Sequence, residues 1–159
     1  MKKRMLVLLV TAIVGMVMTA CSGDKPVESK LSAKEMTDQM VKEVEQPAQI
    51  ELPAEQVKDF YNIDSEKLED YSIRIPMMNV KTNEIAILKV KDAKDVPEVE
   101  LAVKQRAENV KKQFETYLPD QYENAKNYKL VTKGNYVLLV ISDKAEELVK
   151  VYDSFFEQK

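Results

Sequence analysis

The sequence predicts an α+β fold in which N-terminal helices precede a ββαββα series, with a four-stranded, largely antiparallel sheet packed by helices. Three observations carry that expectation. Apolar residues alternate with polar ones at Tyr71, Ile73 and Ile75, then run almost unbroken through residues 85–90 and 136–141, which are strand patterns. Apolar residues recur at helical spacing after the capping sequences at Ser32, Asp95 and Asp143. Lys133-Gly134-Asn135 supplies a tight reversal between two strand patterns, with Gly134 able to take a positive φ.

Taken in order, Ser32-Ala33-Lys34-Glu35 is a capping box with Leu31 and Met36 placed as the hydrophobic staple, so a helix is expected from here to about Glu45. Its stripe is Met36, Met40, Val41 and Val44; methionines at this spacing fill cores more often than they form adaptable partner surfaces. Pro47 and Pro53 interrupt the chain, and residues 54–61 read as a short helical stretch with Val57, Phe60 and Tyr61 inward. The strand at residues 71–75 has one wet face, carrying Ser72 and Arg74, and Pro76 ends it. A polar turn over residues 79–83 leads to residues 85–90, a more buried strand expected to complete a hairpin.

Asp95-Val96-Pro97-Glu98 offers a cap, an early proline and a capping-box acid, followed by Val99, Val103, Val110, Phe114 and Tyr117 at helical spacing up to Leu118-Pro119. Glu100 with Lys104 and Glu108 with Lys112 are four apart, the orientation that favours ion pairs on a solvated face. Residues 120–127 read as a polar connection, after which Tyr128, Leu130 and Thr132 lead into the glycine turn. Residues 136–141 are apolar throughout, as a central strand covered on both faces would be. A final helix starts at Asp143 and carries Ala145, Leu148, Val149, Tyr152 and Phe156 on one face. The long helix and this last one are expected on the same side of the sheet.

With 159 residues, 45% of them hydrophobic, the chain suffices for one small domain, placed at residues 31–159. It has no His, no Trp, one Cys and three Gly, which removes imidazole catalysis, His- or thiolate-cluster metal sites, an internal disulfide framework and a glycine-rich phosphate cradle. No cofactor or metal is expected. At the N-terminus, Lys2, Lys3 and Arg4 precede a charge-free run over residues 5–20 that closes on Met18-Thr19-Ala20-Cys21. This is the pattern of a bacterial lipoprotein signal: cleavage between Ala20 and Cys21, with diacylglycerol on the Cys21 thiol. Residues 22–30 then read as a flexible tether. Cleavage leaves 21 basic against 27 acidic residues, a net of −6. Such a body is repelled by anionic lipid, so the acyl chains would be its membrane contact, on the outer face of the cytoplasmic membrane. The same balance, with Arg74 and Arg106 the only remaining arginines, argues against nucleic acid.

Three segments resemble a known family. They are Phe60-Tyr61-Asn62-Ile63-Asp64, the acidic start and Lys-rich course of the helix that ends in Tyr117-Leu118-Pro119, and Lys133-Gly134-Asn135-Tyr136 with the apolar strand running on to Ser142-Asp143. Together they are similar to the domain-of-unknown-function 4358 family, short lipoproteins mostly of Gram-positive bacteria. The resemblance spans the chain from about Val41 onward. It implies a lipoprotein-borne α/β domain and supplies no catalytic residues.

Among candidate chemistries, Asp92, Asp95, Glu98 and Glu100 cluster at a helix start, where capping and the helix dipole already favour acids. Ser72 and Ser142 lie in no recognisable nucleophile turn. No catalytic residue is assigned. The candidate interaction surface consists of Tyr71, Tyr122, Tyr128 and Tyr136 with the hairpin tip at Gly134 and Asn135, because tyrosine offers rigid amphipathic contact area. Strand propensity and turn geometry account for the same residues. The expectation is a non-catalytic binding or accessory module with an envelope protein as partner. The alternatives are a small-ligand module, which requires a concave pocket, and a carboxylate hydrolase, which requires two acids facing across a cleft.

Overall fold

Residues 27–157 are described by the computed structural model. The capping box forms as its spacing requires: Ser32 Oγ accepts from the Glu35 N–H at 3.2 Å and the Glu35 carboxylate accepts from the Ser32 N–H at 2.8 Å. It opens helix α1 (Ala33–Glu43), which buries Ala33, Met36, Thr37 and Met40 along one face. Strand β1 (Gln49–Glu51) and a 3₁₀ turn at Ala54–Gln56 lead to the short helix α2 (Val57–Tyr61), which stops on Asn62 at φ 54°. The hairpin β2 (Leu68–Pro76) and β3 (Glu84–Val90) precedes the long helix α3 (Val96–Phe114). Helix α4 (Pro119–Lys126), the hairpin β4 (Lys129–Lys133) and β5 (Tyr136–Ile141), and helix α5 (Ala145–Ser154) complete the chain.

The sheet has the order β1-β2-β3-β5-β4 and every neighbouring pair is antiparallel. Side chains alternate across it, so each central strand feeds two cores. Ile73, Leu88, Val137 and Leu139 face Val99, Val103 and Phe114 of α3 together with α2 and α4. Ile85, Ile87, Leu138 and Val140 face Met36 and Met40 of α1 and Leu148 and Tyr152 of α5. The result is an antiparallel sheet between two helical layers, which is why β5 is apolar at every position.

Several expectations are corrected. The sheet has five strands, not four: β1 is three residues long between Pro47 and Pro53, too short to show a period. Residues 120–127 form most of α4 rather than a loop, and this helix buries only Gln121 and Ala125, so its amphipathic signal is weak. Helices α3 and α5 lie on opposite faces of the sheet, not the same one. The polar face of β2 is also covered: Ser72 is buried beneath α1, where its hydroxyl is 2.7 Å from that of Thr37, and Arg74 pairs with Asp38. On α3, Glu108 pairs with Lys111 and Glu100 accepts from Thr132, in place of the expected partners four residues on. The final helix has Lys144 at its cap position, whose N–H donates to Ser142 Oγ at 3.0 Å, rather than an Asp143 cap.

One core group works against stability. The Tyr152 hydroxyl is buried without a hydrogen-bond partner among the described residues, and that burial pushes its ionisation above the ordinary tyrosine value. A buried, unsatisfied hydroxyl costs about 1–3 kcal/mol. Tyr152→Phe is therefore expected to raise the urea midpoint, by about 1 kcal/mol in unfolding free energy; a lower midpoint would mean that the hydroxyl is satisfied in solution.

Candidate functional site

The structure divides the residues proposed as an interaction surface. Tyr71, Tyr122 and Tyr128 are half-buried and pack on the core beneath α3, whereas Tyr136 is buried in the opposite core, against Phe156 at 5.1 Å between ring centroids. They form no shared patch. Gly134 does take a positive φ, 54°, at the β4–β5 turn, and Asn135 is tied down by donating its side-chain amide to Val90 C=O at 3.1 Å. Cys21 and Ala20 lie outside the described residues.

The segment expected as tether is fixed to the domain at its far end. Glu28 accepts from Lys89 Nζ and from the Tyr136 hydroxyl, both at 3.0 Å. Val27 packs on the hairpin tip, where a Cβ placed on Gly134 would lie 3.1 Å from its own, so glycine is required there by contact as well as by φ. The chain thus joins the domain at the end of the sheet formed by Leu68, Val90 and Gly134. The hydrogen bond from Lys89 holds the Glu28 carboxyl below the usual carboxylate value, against the opposing effect of burial. A lowered native pKa contributes stability above the unfolded value, and that contribution is lost as pH falls through the native one. Hydrogen-exchange protection of residues 28–31 is expected to fall as the pH drops below the ordinary glutamate range and to be reduced already at pH 7 in Glu28→Gln; unchanged protection in the variant would show that Glu28 does not hold this segment.

The opposite end of the sheet has a different character. Thr82, Asn83 and Glu84, expected in or beside an exposed turn, are 1%, 2% and 1% exposed. Each is held from a different element. Thr82 N–H donates to the Gln121 side-chain oxygen of α4 at 3.0 Å. The Asn83 amide reaches Gln46 Oε1 and Ser142 Oγ, both at 3.4 Å, and Ser142 donates to the same Gln46 oxygen at 2.9 Å. Glu84 takes a bidentate bond from Arg106 of α3, at 3.0 Å from Nε and 2.7 Å from Nη2, and accepts from the Tyr61 hydroxyl. Burial and the carboxylate's charge push the Tyr61 hydroxyl well above its ordinary pKa, so it remains a neutral donor. The Phe60 ring covers the guanidinium, with 4.9 Å between the charge and the ring centroid.

Two hollows flank this buried polar run and meet at Lys81. One, of about 570 Å³, is walled by Gln46, Asn83, Gln121 and Asn124 with Asp120 and Lys144 on its rim. The other, of about 260 Å³, is walled by Phe60, Met77, Met78 and Phe114. A third hollow of about 370 Å³ lies between α2 and α3, lined by Phe60, Ile63, Leu101, Asn62, Gln105 and Asn109. Met77 and Met78 are 59% and 54% exposed. Thr82, Asn83 and Glu84 were hidden in the sequence by reading as a turn; the clue was an acid and an amide placed directly against the apolar run at Ile85. Of the acids clustered at the start of α3, Asp92 accepts from the Lys94 N–H, Glu98 pairs with Lys67 at 2.5 Å and Glu100 accepts from Thr132.

An antiparallel five-stranded sheet with a helical layer on each face defines the class of domain. The chain belongs to the family described as Domain of unknown function (DUF4358), whose model matches residues 30–142. That span runs from the fixed tether to the end of β5 and stops short of α5. No curated protein and no solved structure matches the chain.

Proposed function

We propose that the protein is a lipoprotein anchored by diacylglycerol on Cys21 to the outer face of the cytoplasmic membrane, where its domain acts as a non-catalytic binding or accessory module for another envelope component. The observation that carries the binding reading is the asymmetry between the two ends of the sheet. Buried polar groups and exposed large apolar groups are the informative departures from ordinary burial. Among the described residues, five of the seven buried polar side chains (Thr82, Asn83, Glu84, Gln121, Ser142) and four of the seven exposed large apolar ones (Met77, Met78, Val80, Tyr117) lie at the end opposite the tether. The anchor is supported by the signal-like N-terminus and by the single Cys placed after Thr19-Ala20.

The test is crosslinking in native membranes followed by purification of the full chain and mass spectrometry, with Cys21→Ala as the control. Cys21→Ala is expected to abolish incorporation of labelled fatty acid and to block processing before that residue. One stoichiometric partner lost in the control supports the module; undiminished labelling in the variant refutes the anchor. The 370 Å³ hollow between α2 and α3 favours a second reading, a small-ligand module, because it combines apolar walls with the convergent amides of Asn62, Gln105 and Asn109.

A further inference from the structure

We infer that the Gly134 end of the sheet is the face turned toward the lipid surface, and that residues 27–31 are a strap that keeps the domain from turning over on its anchor. This inference rests on the lipoprotein reading and deepens it, by naming the end of the domain that meets the bilayer and the contacts that hold it there.

The strap is a set of side-chain contacts spread over five residues. Val27 packs on Gly134, and Glu28 accepts from Lys89 Nζ and from the Tyr136 hydroxyl. Leu31 is partly buried against the core that α1 and α5 share, and its N–H donates to Ser29 Oγ at 3.2 Å. The cation that receives Glu28 is already positioned: Lys89 also pairs with Glu69 at 2.9 Å and lies 5.3 Å from the centroid of the Tyr136 ring. Little is therefore lost in ordering it when the strap docks. Charge does not supply the orientation. Lys67, Lys89, Lys94 and Lys133, all at this end, are each paired with a carboxylate, which leaves them little to offer anionic headgroups.

Three lengths then decide. Six residue steps separate Cys21 from Val27, a reach of at most about 21 Å at about 3.5 Å per residue. Strand β2 runs eight steps from Leu68 at the strap end to Pro76 at the other, about 26 Å at about 3.3 Å per residue. To turn over and lay the far end on the bilayer, the strap end must rise by the length of the sheet, which is further than the docked chain reaches. With the strap released, the first fixed point becomes Ala33, whose N–H donates to the Asp70 carboxylate at 2.7 Å. Twelve steps from Cys21 reach at most about 42 Å, enough for the domain to invert. Docking of residues 27–31 is thus what separates an oriented domain from one free to tumble. In the oriented state the exposed Met77 and Met78 at the far end are kept off the lipid.

The test uses the full chain, purified in detergent from cells fed labelled fatty acid and reconstituted into vesicles of phosphatidylglycerol and phosphatidylethanolamine. With the Cys21 thiol acylated, an introduced cysteine is the one thiol open to a fluorescent donor. It is placed at Ser65→Cys, beside the strap end, or at Asn79→Cys, beyond Pro76, both exposed positions. Energy transfer to acceptor-bearing lipid headgroups is expected to be at least twofold greater from residue 65 than from residue 79. That ratio should fall towards one in Val27→Gly/Glu28→Ala, which removes the two outer contacts of the strap. It should fall equally when six Gly-Ser residues are inserted after Gly23, which keeps the strap and doubles the leash. It should persist in vesicles of phosphatidylcholine alone, and circular dichroism should show the same fold in every variant. Equal transfer from the two positions would overturn the inference. So would a ratio that survives either variant, or one seen only with phosphatidylglycerol, which would make the orientation electrostatic. A chain without labelled fatty acid sinks the anchor and this inference with it, whereas a labelled chain with equal transfer sinks the orientation alone.

Discussion

Arg106→Ala is expected to lower the unfolding free energy by about 3–5 kcal/mol, the cost of breaking a buried ion pair by removing one partner. Glu84 is 1% exposed and receives both of its charged hydrogen bonds from this one guanidinium, leaving only the Tyr61 hydroxyl as a donor in the variant. The loss also removes the cation from the Phe60 face and unsupports α2 against α3. Removing both charges should behave differently. Glu84→Met with Arg106→Met replaces the pair by apolar groups of similar reach, and part of the lost stability is expected to return, the Tyr61 hydroxyl being left without its acceptor. Urea unfolding of the two single variants and the double gives the coupling directly. A single-variant loss under about 1 kcal/mol, or a double variant no better than the worse single, would show that the pair is solvated and not a keystone of this end.

The second large effect separates the two cores. Leu138 and Leu139 are adjacent on β5, both 0% exposed, and face opposite helical layers. Each change to Ala removes a buried side chain from one core only and should cost about 2–5 kcal/mol. Because one sheet supplies both cores, each variant is expected to unfold in a single transition, with exchange protection falling together in α1 and α3. If Leu138→Ala loosens α1 and α5 while α3 keeps its full protection, the layers are independent units and the cooperativity argued from the sheet is wrong.

Much of this architecture is legible in the sequence, because the long elements declare themselves. The capping box at Ser32, the runs at residues 85–90 and 136–141, and the glycine turn at Gly134 formed where local chemistry placed them. What escaped was non-local. Strand β1 exists because β2 offers it an edge, with Ile50 opposite Ile75, and nothing within three residues announces that. The side of the sheet chosen by α5 depends on the crossing of the chain after β5, not on the helix's own stripe. The buried polar run at residues 82–84 escaped for the same reason: its partners Gln121, Ser142, Gln46 and Arg106 come from four separated segments. The tyrosines misled in the opposite direction, since the composition of a strand does not say that a second helical layer will cover it.

The outermost strands bear on how such a molecule behaves when crowded. An open sheet offers unpaired main-chain groups along both edges, and neighbouring copies can add to them in register and grow into fibres. Here one edge is a three-residue strand between Pro47 and Pro53, too brief to template a neighbour. The other, β4, begins and ends on lysines, and these are clamped to α5 through Lys129–Glu146 at 3.0 Å and Lys133–Asp153 at 2.8 Å. Among the described residues both outer strands thus carry features that discourage pairing with a neighbouring copy, brevity and flanking prolines on one side and terminal lysines on the other.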